Sequence, residues 1–187
     1  MFQKTRLTVL IVAAITAGVL VGATAYAGDR GVSVGVRAGA YTPYIRHGDV
    51  EEYDAFTRAA FGIAAGLELT KAAMLSLSFI TAEGQANIDK EKNVGFDADE
   101  VMMDFHWSVL TGVIQPQFLV GVSYQMIDVD RHVEDENSFG ANFGLGLKLK
   151  LMGDFSACGE GRYHYLFARK FASSNASSIL FGLNYTF

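Results

Sequence analysis

Cysteine is almost missing from this chain: Cys158 is the only one in 187 residues. A lone thiol excludes an intrachain disulfide framework. Cys158 reads as a small inward-facing residue rather than a redox or metal site. Proline is nearly absent too, 2 residues against 20 glycines, which leaves extended segments unbroken. Positive charge is in deficit, 15 Lys and Arg against 20 Asp and Glu, and this acidity argues against nucleic-acid binding. Beyond residue 21 there is no continuous apolar run long enough for a membrane helix, although half of all residues are apolar.

The one apolar run stands at the start. Lys4 and Arg6 precede Leu7 to Val21, and Ala25-Tyr26-Ala27 follows with small-x-small spacing. This is the layout of a secretory signal peptide over 1–27, cleaved near Ala27 so that Gly28 leads the mature chain. The competing reading, a retained anchor helix, has a stretch near the lower limit for a span. The remaining residues, 28–187, suffice for one domain.

What the mature part does have is alternation, with a period of two that marks strands. Val32, Val34, Val36, Ala38 and Ala40 oppose Ser33, Gly35, Arg37 and Gly39. Ala59, Phe61, Ile63, Ala65, Leu67 and Leu69 oppose Arg58, Gly62, Gly66 and Glu68. The pattern recurs at Leu75–Phe79, Val101–Val109, Phe118–Met126, Phe139–Lys150, Phe155–Tyr165 and Ile179–Phe187, making eight segments. Helix is the alternative for the Ala-rich piece at 59–69, but the strict period and the glycines oppose it.

Connections alternate as well. Short ones fall near Thr70–Ala73, Thr111–Pro116 and Leu151–Asp154; long ones at Thr42–Asp54, Ala82–Glu100, Ile127–Ser138 and Ala168–Ser178. Of the 20 acidic residues, 15 lie in the first three long connections, so charge gathers on one side. The apolar faces carry essentially none. A soluble ligand-carrying barrel would turn those faces inward and expose polar ones. Here the second face is mostly Gly, Ser and Asn, which suits a crowded interior. The chain is therefore expected to be all-β: an eight-stranded antiparallel transmembrane β-barrel, closed so that every backbone polar group is paired, as hydrocarbon demands.

With its leader, its eight alternating segments, its Gly-rich inward faces and the ending Gly182-Leu183-Asn184-Tyr185-Thr186-Phe187, the chain resembles the small eight-stranded outer-membrane proteins of Gram-negative bacteria. That group holds the OmpA transmembrane domain, OmpX and the opacity-type proteins. The resemblance implies a multi-pass protein of the cell outer membrane, set among outer-membrane lipid and lipopolysaccharide. It also implies that Tyr185 and Phe187 serve as a signal read by the barrel-assembly machinery.

The inward face is expected to carry Arg37, Arg58, Lys148, Lys150 and Arg162 against Glu68, Asp104 and Glu160, with His106 and His164 nearby. Charges in a narrow barrel must be paired or wet. They read first as a structural network plugging the lumen, and second as the lining of a narrow ion path. His106-Trp107-Ser108 has a His-x-Ser spacing, with Asp104 on the same face. Some barrels of this size modify lipid A, and the deacylases among them carry His-x-Ser-Asn on a late strand. Here the late strand reads His164-Tyr165-Leu166, without the serine, and Ser174-Asn175 falls in the following connection without its histidine. No catalytic set is therefore assigned.

The acidic residues Asp128, Asp130, Glu134 and Asp135 lack the Gly and terminal Glu of a calcium loop. No metal or cofactor is expected beyond cations shared with lipopolysaccharide. Arg169 and Lys170 in the last connection are candidates for its phosphates. The function read from the sequence is a structural or surface-interaction role through acidic extracellular loops, with an unidentified extracellular ligand. A narrow channel comes second and a lipid A-modifying enzyme third.

Overall fold

The structure is a computed structural model that describes residues 31–45, 54–55, 57–88, 91–129, 136–167 and 174–187. The leader and its cleavage site lie outside the described residues. Among the described residues nine strands follow in order: β1 Val32–Ile45, β2 Asp54–Ala55, β3 Arg58–Thr70, β4 Ala73–Ile88, β5 Glu91–Ser108, β6 Ile114–Val129, β7 Glu136–Lys150, β8 Phe155–Leu166 and β9 Ser174–Thr186. Among the described residues no helix is long and apolar enough to cross a membrane. Among the described residues, the two-residue β2 pairs only with the end of β1. The eight long strands form one antiparallel sheet, each hydrogen-bonded to its neighbours in sequence. β1 pairs with β9 from Ser33↔Thr186 to Ile45↔Ser174 and closes the sheet into a barrel.

The register fixes the stagger of that closure. Stepping forward from Arg37 through directly paired residues leads to Gly62, Ile80, Glu100, Gln125 and then Ser138 on β7. Stepping the other way leads to Gly182, Cys158 and Lys148 on the same strand. The two paths miss each other by the ten residues from Ser138 to Lys148, which is the shear of the barrel. Stagger of this kind goes with strands tilted about 35–45° from the axis.

Side chains divide as the alternation requires. Val36, Phe61, Met103, Phe118, Val120, Val122, Phe143, Leu145, Phe181 and Leu183 point outward and are exposed. So large an apolar surface belongs against lipid. Aromatic pairs sit at two levels on it: Trp107–Phe118 and Phe155–Tyr185 near the short turns, Tyr124–Phe139 and Phe143–Tyr163 toward the other end. These match the aromatic girdles of a membrane barrel.

The short-turn rim is stitched by backbone bonds. Ser108 N donates to Ala72 O at 2.7 Å, Lys150 N to Val113 O at 2.8 Å, Thr186 N to Asp154 O at 2.9 Å and Phe187 N to Val32 O at 2.7 Å. Gly153 turns the chain between β7 and β8 at φ 63°, a left-handed conformation that glycine adopts without a steric cost.

Two expectations need correction. The connection expected at Ala82–Glu100 is mostly strand, because β4 runs to Ile88 and β5 begins at Glu91. Likewise β9 begins at Ser174 rather than after Ser178, and β6 continues to Val129. A spanning strand needs roughly 9–11 residues, whereas β4, β5 and β6 have 16, 18 and 16. The surplus projects past the bilayer, where no apolar face is needed and the alternation fades. Second, the interior is not only small and polar. Ile80, Met102, Leu119, Leu166 and Leu180 point inward and are buried. Ile80, Met102 and Leu180 pack with Tyr41, Ala60, Ala82, Ala98 and Ala176 into an apolar cluster inside the lumen, in its long-connection half.

Candidate functional site: the buried polar network of the lumen

Arg162 on β8 is the hub. Its Nη1 donates to Asp104 Oδ2 at 2.6 Å and to Asn142 Oδ1 at 3.3 Å, and its Nη2 and Nε donate to Glu160 Oε2 at 2.7 and 3.1 Å. Arg37 Nε lies 3.7 Å from Glu160 Oε1, and Arg37 Nη1 donates to Asn184 Oδ1 at 2.8 Å. Two guanidinium groups thus meet two carboxylates at mid-barrel, and the side chains of all four are at least nine-tenths buried. At such depth charges persist only when paired and hydrogen-bonded. Gly121 makes room for the Asp104 carboxylate, since a Cβ there would overlap Asp104 Oδ1 and the Met103 carbonyl.

A second group lies nearer the long connections. Glu100 accepts from His164 Nδ1 at 2.9 Å, and the opposite ring nitrogen is 3.0 Å from Ser178 Oγ. A carboxylate can only accept, so Nδ1 carries a proton toward Glu100, and the Ser178 hydroxyl engages the ring at Nε2. The Tyr41 ring meets His164 edge-on at 5.7 Å, and Tyr41 Oη accepts from Gln125. The order acid, imidazole, hydroxyl is that of a hydrolase relay. Here all three groups are at most 3 % exposed, and the chain of bonds ties β5, β8 and β9 across the lumen.

The residues expected in one network therefore fall into separate sets. Arg37, Asp104, Glu160 and Arg162 come together. His106 is buried one rung below, 2.7 Å from Ser76 Oγ. Lys148 pairs with Glu68 at 3.2 Å near the short-turn rim, where the Glu68 side chain is 35 % exposed. Lys150 is exposed at that rim, and Arg58 is half-buried at the other end of the barrel. Tyr185 faces outward between Phe155 and Phe187. Asp104, His106 and Ser108 do share the inward face, but each serves a different partner: Arg162, Ser76 and Gln117 respectively.

Glu100, Tyr41, Gln125, Asn142 and Ser178 were not among the expected residues. From the sequence Glu100 falls in a long connection, yet its even number sets it in phase with Asp104 and His106. That parity was the available signal.

The same architecture extends to the chain as a sequence. Residues 11–187 match the outer membrane protein beta-barrel domain family. The chain belongs to this family. Among curated proteins none matches it. Solved structures of the same fold include Neisserial surface protein A, at TM-score 0.68 and 12% identity over 83% of this chain and 97% of that one. Ail, the attachment invasion locus protein of Yersinia pestis, gives TM-score 0.60 and 13% identity, covering 84% and 98%. A major outer membrane protein of Thermus thermophilus gives TM-score 0.60 and 13% identity, covering 84% and 99%. At these identities the likeness is one of fold. It places the chain among the small outer-membrane barrels of bacteria, eight strands around a lumen filled by its own side chains.

Proposed function

We propose that this outer-membrane barrel is a closed anchor whose long, acidic connections face the cell's surroundings and meet a partner there. The observation that carries the reading is the lumen: the Arg162 hub and the apolar cluster around Met102 and Leu180 fill it at successive levels. An eight-stranded interior is only just wide enough for such filling. Function then falls to what the barrel presents, and loops on a rigid scaffold are where binding residues gather.

The sequence concentrates Asp49, Glu51 and Glu52, then Asp128, Asp130, Glu134, Asp135 and Glu136, at that end. Lipopolysaccharide and its bridging cations are the nearest partners, the barrel-assembly machinery acts on the closing strand, and an extracellular ligand completes the role. Ail, of the same fold, is by name an attachment and invasion protein, which fits a surface role. The chemistry of the lumen favours neither catalysis nor a wide path, because His106 is tied to Ser76 and His164 to Glu100 and Ser178 in the packed interior.

Planar-bilayer recording of the purified barrel tests this. A baseline without stable steps is the expected result. Conductance steps that change with Glu160→Gln would overturn the closed anchor in favour of a narrow channel. In parallel, cells carrying amides in place of the acidic residues at 128–136 should lose adhesion to whatever matrix protein the parent binds, with the amount of folded barrel unchanged.

A further inference from the structure

One wall of the lumen keeps hydrogen-bonding atoms that no protein group uses. The register arranges the inward residues of β5, β6 and β7 in rungs. From the long-connection end these are Glu100–Gln125–Ser138, Met102–Ser123–Gly140, Asp104–Gly121–Asn142 and His106–Leu119–Gly144. Each rung holds at least one buried polar atom without a protein partner. They are Glu100 Oε2 and Gln125 Oε1 on the first, Ser123 Oγ on the second, Asp104 Oδ1 and Asn142 Nδ2 on the third, and His106 Nδ1 on the fourth.

Rungs on one face of a sheet are about 6.6 Å apart, twice the rise per residue. One or two waters bridge such a gap, and buried polar sites of this kind are where internal water binds. Four consecutive rungs with unused atoms describe a continuous file along one wall. Gly140 lies beside Ser123, and Gly121 lies between Asp104 and Asn142; the hydroxyl of Ser123 is the way past Met102.

We propose that this wall conducts protons between the two ends of the barrel while the lumen excludes ions and solutes. The inference rests on the closed-lumen reading above. A proton arriving from the long-connection end binds Glu100 Oε2 and passes through water to Ser123. The hydroxyl accepts it and releases its own proton toward Asp104 Oδ1. From there it reaches His106 Nδ1, while the proton on Nε2 leaves through Ser76, 2.7 Å away. Each passage leaves His106 as its other tautomer and the Ser123 and Ser76 hydroxyls turned; rotation of the ring and of the hydroxyls resets the path, and no oxidant or reductant is required.

The charged groups facing the path are Arg162, Arg37 and Glu160 at the hub, with the titratable His164 beside Glu100. The two cations there are matched in number by the carboxylates of Asp104 and Glu160. A metal cation would have to shed its water between them.

The test uses the folded full chain in phosphatidylcholine vesicles loaded with a pH-sensitive dye, with potassium and valinomycin clamping the potential. After a pH step, the wild type should dissipate the gradient about tenfold faster than protein-free vesicles, equivalent to about 1.4 kcal/mol off the barrier. Ser123→Thr keeps a hydroxyl and should retain the flux. Ser123→Val has nearly the same shape without it and should lose the flux. Heat-dependent gel mobility confirms that each variant is folded.

Wild-type vesicles no faster than empty ones would overturn the proposal, whatever the variants do. Equal flux in the Val and Thr variants would overturn it too. Release of potassium without valinomycin would instead break the closed-lumen reading, so the two failures are distinct.

Discussion

Arg162 occupies every nitrogen of its guanidinium with a buried partner. Its loss leaves Asp104 and Glu160 buried, with only Arg37 near. Arg162→Ala should therefore destabilise the barrel by about 3–5 kcal/mol, the cost of an orphaned buried charge. A urea titration followed by the fluorescence of Trp107, the sole tryptophan, reads this directly. Pairing Arg162→Met with Asp104→Leu should recover part of the loss, because an apolar pair of similar volume replaces an ion pair at little cost.

At this scale the sequence revealed which charges face inward and stopped there. Arg37, Asp104, Glu160 and Arg162 could be placed on one side of their strands from parity alone. That Arg162 reaches Asp104, 58 residues away, depends on the stagger of the closed sheet, which no single strand encodes. Met102 and Leu180 were hidden for another reason: where both faces of a strand are apolar, alternation carries no information about which face is which.

The strands divide into a lipid-facing part and a projecting part, and the physics differs between them. Val120 lies outward on β6 between Phe118 and Tyr124 and is 59 % exposed. Val120→Arg should cost about 2–4 kcal/mol, as for an arginine near the bilayer midplane, whereas Met152→Arg in the short β7–β8 turn should cost about 0–1 kcal/mol. The comparison is best made by urea unfolding in the same lipid.

The segment β9 closes the barrel, and Phe187, the residue after it, is held twice. Phe187 N donates to Val32 O at 2.7 Å, and its ring packs on Tyr185 at 5.0 Å. Removing Phe187 should slow assembly in cells while leaving the finished barrel folded. Pulse-chase of the heat-resistant compact form measures it, and an unchanged rate would remove the assembly role from Phe187. The eight segments and the three short turns were legible in the sequence because lipid enforces a strict period. Lipid stops enforcing it at the headgroups, so the upper reaches of β4 and β5, rich in Glu83, Asp97, Asp99 and Glu100, were read as loop.

As a whole the molecule has one orientation that its connections make testable. Trypsin added to intact cells should cut at Arg131 or Lys170 of the long connections and spare Lys71, which sits in the two-residue turn between β3 and β4. Cleavage at Lys71 in intact cells would reverse the assigned sidedness. Identities of 12–13% to barrels of the same shape show how little of the sequence the shape requires. It requires the period, the closing strand and an interior of matching volume.

The stagger of ten residues between Ser138 and Lys148 has an evolutionary consequence. A closed sheet cannot absorb a single inserted residue in a paired segment, because one step of slip turns every later side chain of that strand to the wrong face. Length can change there only in even increments, or through a bulge such as those at Glu68/Thr70 and Ala86/Ile88. Drift by single residues is confined to the arcs that join the strands. Descendants of this barrel are therefore free to rewrite what they display outside the membrane while the wall beneath keeps count by twos.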